Sequence, residues 1–123
     1  MDDQRLWEFE RDLWVGGAET YETKVAEDVV MALPARPFLY DRRAAIEAVK
    51  ATPHWDTVEF EDKRVERHQE GLIAIAYRVK AAQGEKSYHA ACTSTILRLG
   101  HDNWVVIQHQ QTPLGVEIAE PAD

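Results

Sequence analysis

The sequence predicts an α+β fold, in which three N-terminal helices pack on one face of a strongly curved antiparallel sheet. Two observations lead to this prediction. Residues 2–51 repeat apolar side chains mostly with helical spacing, whereas residues 57–113 alternate with a period of two. Helices followed by consecutive strands are typical of α+β domains, whose helices lie on one side of the sheet. With 123 residues, the chain has room for one domain and one core.

The three helices are predicted from the spacing of apolar side chains and from residues that favour helix ends. Residues 2–15 carry an apolar stripe that ends at Gly16-Gly17, because a glycine pair stops a helix. Residues 18–26 resume the helical spacing after this break. The third helix, Arg42–Ala51, follows Asp41, whose carboxylate suits a helix N-cap.

The strands are predicted from alternating apolar and polar residues between turn signals. Residues 28–33 form a short strand, and residues 57–113 form a meander of four long strands. The apolar side chains change phase between Phe60 and Val65, which predicts a one-residue β-bulge. Residues 1–113 are therefore expected to be a single domain, followed by a loose C-terminal tail at residues 114–123.

Alternation along the strands assigns side chains to two faces of the sheet. With a three-residue loop at residues 83–85 and a two-residue turn at Asp102-Asn103, Tyr77 lies opposite Ala91 and faces the helices together with His89. A concave wall that is mostly apolar, with a few polar groups, is typical of a small-molecule site. The predicted pocket lining consists of Trp14, Tyr21, Met31, Trp55, Thr93, Thr95, Gln108 and Gln110.

The outer face of the sheet is expected to be small, flat and apolar. A monomer rarely exposes such a surface, so the sequence predicts a homodimer that packs sheet against sheet. Coverage of this face by the C-terminal tail is the alternative. The predicted dimer face consists of Ala74, Ala76, Ala90, Cys92, Ile96, Val105 and Ile107.

Charge and composition argue against several classes of function. The net charge of −8 disfavours nucleic-acid binding, because no basic patch is present to contact phosphates. The single cysteine, Cys92, excludes a disulfide within the chain. No apolar run is long enough for a bilayer-spanning helix, and no signal-peptide pattern begins the chain, so a cytoplasmic location is expected. The histidine spacing predicts no metal site, and no cofactor is expected.

Several short segments, in a fixed order, run through nearly the whole chain: Trp14-Val15-Gly16-Gly17, Tyr21, residues 27–31, Pro34, residues 43–46, residues 55–60, Ala76-Tyr77 and residues 104–113. In this ordered set the chain resembles members of the nuclear transport factor 2-like superfamily, most closely the DUF4440 and SnoaL-like branch. The resemblance implies a cone-shaped roll with a pocket at its wide end, and dimers through the outer sheet face. Relatives include isomerases, dehydratases, cyclases, epoxide hydrolases and binding or assembly modules, so no single activity is implied.

Small-molecule binding in an apolar pocket is the leading functional hypothesis. A cofactor-independent lyase or isomerase of the SnoaL or ketosteroid-isomerase type is the first alternative, in which His89 takes a proton and Tyr77 stabilises an oxyanion. His89 could instead be a core histidine with a structural hydrogen bond. The strands offer no inward-facing carboxylate, which isomerase-like relatives would need. The second alternative is a dimeric assembly module without a working pocket.

His109 has two possible roles in this scheme. It stands among glutamines near the end of the last strand, where polar side chains can surround a pocket mouth or form hydrogen bonds across a dimer interface. The register of that strand decides whether His109 or Gln108 faces the pocket, because adjacent side chains point to opposite faces.

Overall fold

A computed structural model of the chain describes residues 1–115, so most of the predicted tail lies outside the described residues. Three helices and six strands follow one another in the order α1 (Asp3–Val15), α2 (Ala18–Lys24), β1 (Val25–Ala32), β2 (Leu39–Tyr40), α3 (Arg42–Ala51), β3 (Thr57–Gln69), β4 (Leu72–Gln83), β5 (Lys86–Gly100) and β6 (Asn103–Pro113). The strands form one curved sheet with the order β2-β1-β6-β5-β4-β3. The predicted α+β architecture is confirmed.

The helix ends follow from local chemistry. The Asp2 side chain caps α1 by accepting a hydrogen bond of 2.8 Å from the backbone N–H of Arg5. Asp41 caps α3 in the same way, with 2.8 Å to the backbone N–H of Ala44. The predicted bounds of α3 are confirmed. Helix α2 ends earlier than predicted, because Val25 already pairs with β6.

The predicted meander of four long antiparallel strands is confirmed for β3 to β6. The β1 strand adds to the free edge of β6 in parallel, and β2 pairs antiparallel with β1. The sheet is therefore antiparallel except for this one pair of neighbours. The predicted bulge in β3 is also confirmed, since the register shifts between Glu61 and Arg64, and Asp62 has a φ of 51°.

The predicted register between β4 and β5 is wrong by one residue. Gln83 pairs with Lys86, so the turn contains only Gly84 and Glu85, and Tyr77 lies opposite Cys92. Gly84 has a φ of 58°, a conformation that favours glycine. A slip of one residue exchanges the two faces of a strand. The core face of β5 therefore holds Tyr88, Ala90, Cys92, Ser94 and Ile96, and its outer face holds His89, Ala91, Thr93, Thr95 and Leu97.

The β5–β6 turn is also displaced from its predicted position, because Gly100 pairs with Asn103 across His101-Asp102. The register shifts again at Ile107, which is an extra residue in β6. This bulge lets both Val106 and His109 point into the core, with exposures of 0% and 5%. Gln108 and Gln110 consequently lie on the outer face.

The core lies between the helices and the inner face of the sheet. Leu6, Leu13 and Trp14 of α1 pack on Ile73, Ile75 and Tyr77 of β4 and on their neighbours in the sheet. Because α1 crosses this face, one end of the curved sheet is filled by helix side chains. The other end stays open between α2, α3 and the strands. Among residues 1–115, no helix is long and apolar enough to cross a membrane.

Candidate functional site

A cavity of about 540 Å³ lies at the open end of the sheet. Helix α3 supplies one wall through small side chains, Ala45, Ala48 and Val49. Aromatic side chains from five different segments of the chain also line the cavity, so only the tertiary fold assembles this aromatic wall. Its members are Trp14, Tyr21, Tyr40, Trp55 and Tyr88.

The aromatic wall is packed by ring contacts. Trp55 stacks on Tyr88 with ring centroids 5.8 Å apart and an interplanar angle of 14°. Trp14 lies 6.2 Å from Tyr88 and meets the His109 ring edge-on at 6.2 Å. Burial raises the pKa of both Tyr21 and Tyr88 to about 12, so their hydroxyl groups stay protonated near neutral pH.

The polar end of the cavity is formed by His109 and Gln111 of β6. The two side chains are in contact, with 3.1 Å between His109 Nε2 and Gln111 Nε2. The Tyr88 hydroxyl donates to Gln111 Oε1 over 3.1 Å. A chamber lined mostly by apolar and aromatic side chains therefore presents an imidazole and an amide side by side, the type of polar group that orients a small molecule. The other polar residues of the lining are Thr52, His54, Lys86 and Ser87.

A fully buried carboxylate, Glu10, lies behind this end of the cavity. Its Oε2 accepts hydrogen bonds from the Tyr77 hydroxyl at 2.5 Å and from the Ser94 hydroxyl at 2.6 Å. Trp14 Nε1 in turn donates to the Tyr77 hydroxyl at 2.9 Å. Glu10 Oε1 has no hydrogen-bond partner among the residues that the structure describes. Oε2 therefore accepts two hydrogen bonds, whereas Oε1 accepts none from the described residues.

Ser94 connects the buried acid to the histidine of the cavity. Its Oγ lies 2.7 Å from His109 Nδ1, while Nδ1 and Glu10 Oε2 are 3.6 Å apart. The second distance is too long for a direct hydrogen bond. Glu10, Ser94 and His109 therefore form a continuous chain, which reaches the cavity at His109 Nε2.

Burial disfavours a charge on either end of this chain. It raises the pKa of Glu10, although the hydrogen bonds from Ser94 and Tyr77 oppose that shift. It lowers the pKa of His109 to about 4. Near neutral pH the His109 imidazole is therefore uncharged, and Glu10 holds its proton more strongly than an exposed glutamate does.

Sequence reasoning missed Glu10 because it considered carboxylates only within strands. Glu10 lies four residues after Leu6 and three before Leu13, so it shares the buried stripe of α1. A carboxylate on the apolar stripe of a helix is the signal that could have identified it. Ser94 lies on the same side of β5 as Ala90, Cys92 and Ile96, which the sequence pattern places on the outer face, and the observed register turns this side inward.

Three of the predicted pocket residues, Trp14, Tyr21 and Trp55, lie in the cavity wall. Met31 does not, because it is buried in the core. The remaining four, Thr93, Thr95, Gln108 and Gln110, lie on the outer face as a result of the two register corrections.

The predicted catalytic pair, His89 and Tyr77, is separated by the sheet. His89 is exposed on the outer face, where it pairs with Lys80, whereas Tyr77 is buried on the core face. The expectation that both side chains reach one ligand was wrong, because it depended on the incorrect β4–β5 register. Tyr77 instead contacts Glu10.

The predicted dimer face also changes membership. Ala74 and Ala76 lie on the outer face and pair with Thr95 and Thr93. Three other members were assigned wrongly and belong to the core: Ala90, Cys92 and Ile96. Val105 is buried outside the core cluster, and Ile107 is the bulged residue of β6.

The chain is similar to solved structures of nuclear transport factor 2-like proteins. A ketosteroid isomerase candidate from Parabacteroides distasonis aligns with a TM-score of 0.76 at 14% identity, over 89% of this chain and 86% of that one. A protein of unknown function from Prochlorococcus marinus aligns with a TM-score of 0.74 at 9% identity, over 95% and 97% of the two chains. A nuclear transport factor 2-like protein from Cytophaga hutchinsonii aligns with a TM-score of 0.72 at 15% identity, over 93% and 100% of the two chains.

No family model and no curated protein matches the chain. The DUF4440 and SnoaL-like branch therefore stays a prediction, and at such low identities the likeness is one of fold alone. The element order, the curved six-stranded sheet and the three alignments agree with one another. The chain has the nuclear transport factor 2-like fold, with its helices packed on one face of the curved sheet.

Proposed function

We propose that the chain binds a small, largely apolar molecule in the cavity, with His109 and Gln111 as its polar contacts. One observation carries this proposal: a buried imidazole and a neighbouring amide line a mostly apolar chamber of about 540 Å³. That volume falls within the range of roughly 300–1,000 Å³ that is common for small-molecule sites.

The polar end of the cavity, at His109 and Gln111, favours an uncharged ligand. Its histidine is neutral, and the hydroxyls of Tyr21 and Tyr88 are protonated near neutral pH. A charged ligand group placed beside these neutral side chains would lose its hydration without a charged partner next to it. The cavity is also lined by Lys86, which is an exposed residue. We infer a neutral ligand that carries a carbonyl or hydroxyl oxygen, which imidazole and amide groups can bind.

Filling the cavity tests the proposed site. Ala48 lines the cavity on α3, whereas Ala51 on the same helix is exposed and does not. We expect Ala48→Trp to weaken binding of the neutral apolar dye Nile red at least tenfold, a change of about 1.4 kcal/mol. Fluorescence titration measures it. The matched control, Ala51→Trp, should bind as the unaltered protein does, and equal binding by both variants would contradict the proposal.

A homodimer through the outer sheet face is a second part of the proposal. The β4 part of that face holds the small side chains of Ala74 and Ala76, which allow another sheet to approach closely. The neighbouring polar groups are already paired, since Thr95 donates to Gln108 at 3.0 Å and Gln108 donates to Thr93 at 3.1 Å. A partner could therefore cover them without leaving them unsatisfied. A dimer that binds no dye would favour the assembly-module alternative.

A cofactor-independent lyase or isomerase is the second candidate function. His89 and Tyr77 cannot carry it together, because they lie on opposite faces of the sheet. The chain of Glu10, Ser94 and His109 favours it instead, because such a chain can exchange a proton with a bound molecule. Isomerisation of a β,γ-unsaturated ketosteroid, followed by absorbance, is the first assay. His109→Ala should abolish turnover and His89→Ala should not, and the reverse pattern would exclude this site.

A further inference from the structure

We propose that Glu10, Ser94 and His109 form a proton relay, in which Glu10 stores a proton and His109 Nε2 exchanges it with the molecule in the cavity. The inference rests on the proposed small-molecule site and adds proton transfer through a neutral histidine to it. The relay residues come from three elements, α1, β5 and β6, which the fold brings together behind the cavity.

The geometry sends the proton through Ser94. Its hydroxyl oxygen lies 2.6 Å from Glu10 Oε2 and 2.7 Å from His109 Nδ1. The direct separation of 3.6 Å between acid and imidazole is too long for transfer without an intermediary. A hydroxyl can accept one proton while it releases another, so Ser94 can serve both neighbours at once.

In a forward step, the relay passes one proton to the ligand. At the start, Glu10 is protonated and donates to Ser94, Ser94 donates to His109 Nδ1, and Nε2 carries a hydrogen. The Nε2–H bond breaks as the proton moves to the ligand, the Ser94 proton moves to Nδ1, and the Glu10 proton moves to Ser94. At the end, Glu10 is a carboxylate, Ser94 donates to it, and Nε2 has a free lone pair.

The imidazole is neutral before and after this step, and one negative charge appears on Glu10. The reverse step takes a proton from the ligand. Removing a proton from one ligand atom and returning it to another is the proton balance of an isomerisation, and no oxidant or reductant is needed. The ligand class is therefore a neutral molecule with a carbonyl or hydroxyl group whose proton can shift.

The surroundings of the relay suit a neutral histidine better than a charged one. Burial lowers the pKa of His109 to about 4, so an imidazolium is disfavoured near neutral pH. The titratable groups that surround Glu10 and His109 are Tyr77 of β4, Cys92 of β5 and Tyr21 of α2. Burial raises the pKa of all three, so none of them supplies a charge. The Tyr77 hydroxyl stabilises the carboxylate end state by donating to Glu10 Oε2.

Gln111 can form a hydrogen bond with His109 Nε2 both at the start and at the end of the step. Its amide stands 3.1 Å from His109 Nε2 and can present either the NH₂ group or the oxygen, depending on its orientation. The NH₂ group donates to a bare Nε2, and the oxygen accepts from a protonated one. A ligand oxygen that replaces this amide at Nε2 would enter the same hydrogen-bond chain.

Nitrogen NMR of protein labelled with ¹⁵N-histidine tests the relay without any ligand. The signals of His109 are assigned by their loss in His109→Gln. As the pH is raised over the range in which the protein stays folded, we expect a neutral imidazole that changes from the Nε2–H to the Nδ1–H tautomer when Glu10 ionises. An imidazolium within this range, or a tautomer that never changes, would overturn the relay.

Two variants show whether the tautomer change depends on the hydrogen-bond chain of Glu10, Ser94 and His109. Glu10→Gln should hold His109 in one tautomer at every pH, because no proton leaves position 10. Ser94→Ala should uncouple the tautomer from Glu10 while both groups remain. A Glu10→Gln protein that kept the full transition would refute the relay. Loss of Nile red binding with an intact tautomer change would instead refute the binding function alone, so the two failures can be distinguished.

Discussion

At the scale of single residues, the unusual feature is the buried ionisable pair of Glu10 and His109. Within residues 1–115, no other charged side chain forms an ion pair with either of them. Glu10 is fully buried, and His109 is 5% exposed. Burial of either charge costs free energy, and the opposite directions of the two pKa shifts express this cost. Hydroxyl groups from Ser94 and Tyr77 satisfy one carboxylate oxygen. Burial therefore favours the uncharged form of each partner, and either one changes its charge by gaining or losing a single proton.

The lowered pKa of His109 predicts a loss of stability in acid. The unfolded histidine takes up a proton below pH 6.5, whereas the folded one resists protonation down to about pH 4. Between these values the unfolded state binds more protons, so the free energy of unfolding falls as pH falls. We expect a loss of about 3 kcal/mol across this window from His109.

Urea unfolding at a series of pH values measures this effect. His109→Gln should remove most of the acid-side loss, while the matched variant His68→Gln, at an exposed position of β3, should keep it. If His109→Gln and His68→Gln gave the same pH profile, the buried histidine would not be the cause.

At the scale of elements, the corner between α1 and α2 positions two features of the site: the cavity wall and the buried stripe of α1 that contains Glu10. The Gly16 N–H donates to the Asp12 oxygen at 2.8 Å and closes α1, and α2 begins two residues later. At this corner the backbone passes through a space that is too small for a residue with a side chain. The glycine is required by this close approach and not by its backbone angles, because its φ is −82°.

Gly16→Ala is expected to destabilise the fold by roughly 1–3 kcal/mol, the usual cost of overpacking. The added Cβ would press on the Thr20 side chain and lie 2.5 Å from the Asp12 carbonyl oxygen. Gly100→Ala is the matched control, because nothing lies within 4 Å of a Cβ there. Thermal unfolding compares the two variants. Equal melting temperatures would show that the corner adjusts without cost.

At the scale of the whole molecule, the curved sheet separates two surfaces with different proposed roles. Its inner face carries core residues, Ser94 and the cavity histidine, and the buried acid of α1 packs against it. Its outer face carries Ala74 and Ala76 beside a row of paired threonines and glutamines. Because neighbouring side chains of a strand point to opposite faces, each residue of β5 and β6 can serve only one of these surfaces.

The proposed dimer predicts that a lysine on the outer face weakens association. Thr93→Lys would place an ammonium group between the two sheets, where it must lose its hydration. We expect the dimer dissociation constant to rise at least 100-fold in sedimentation equilibrium. Thr23→Lys, the same change at an exposed position of α2, is the control and should leave association unchanged. A protein that is monomeric before any substitution would refute the dimer.

Local chemistry is enough to predict a large part of this fold. Asp41 and the stripe behind it specify α3, the glycine pair ends α1, and the phase change after Phe60 places the bulge in β3. Each of these signals involves residues that are close in the chain, so spacing and cap chemistry contain the information. The α+β order of the elements follows from the same signals.

Only the tertiary structure decides which face each residue of β5 and β6 presents. A turn of two residues in place of three, and one bulge at Ile107, move Ser94 and His109 inward and His89 outward. Turn length differs by one residue while side-chain direction reverses completely, so a small local ambiguity becomes a large difference at the site. The sequence by itself determined the three helices, five of the six strands and the order in which they follow one another. The partners of Glu10, and with them the chemistry of the cavity, depend on long-range packing that brings α1, β5 and β6 together.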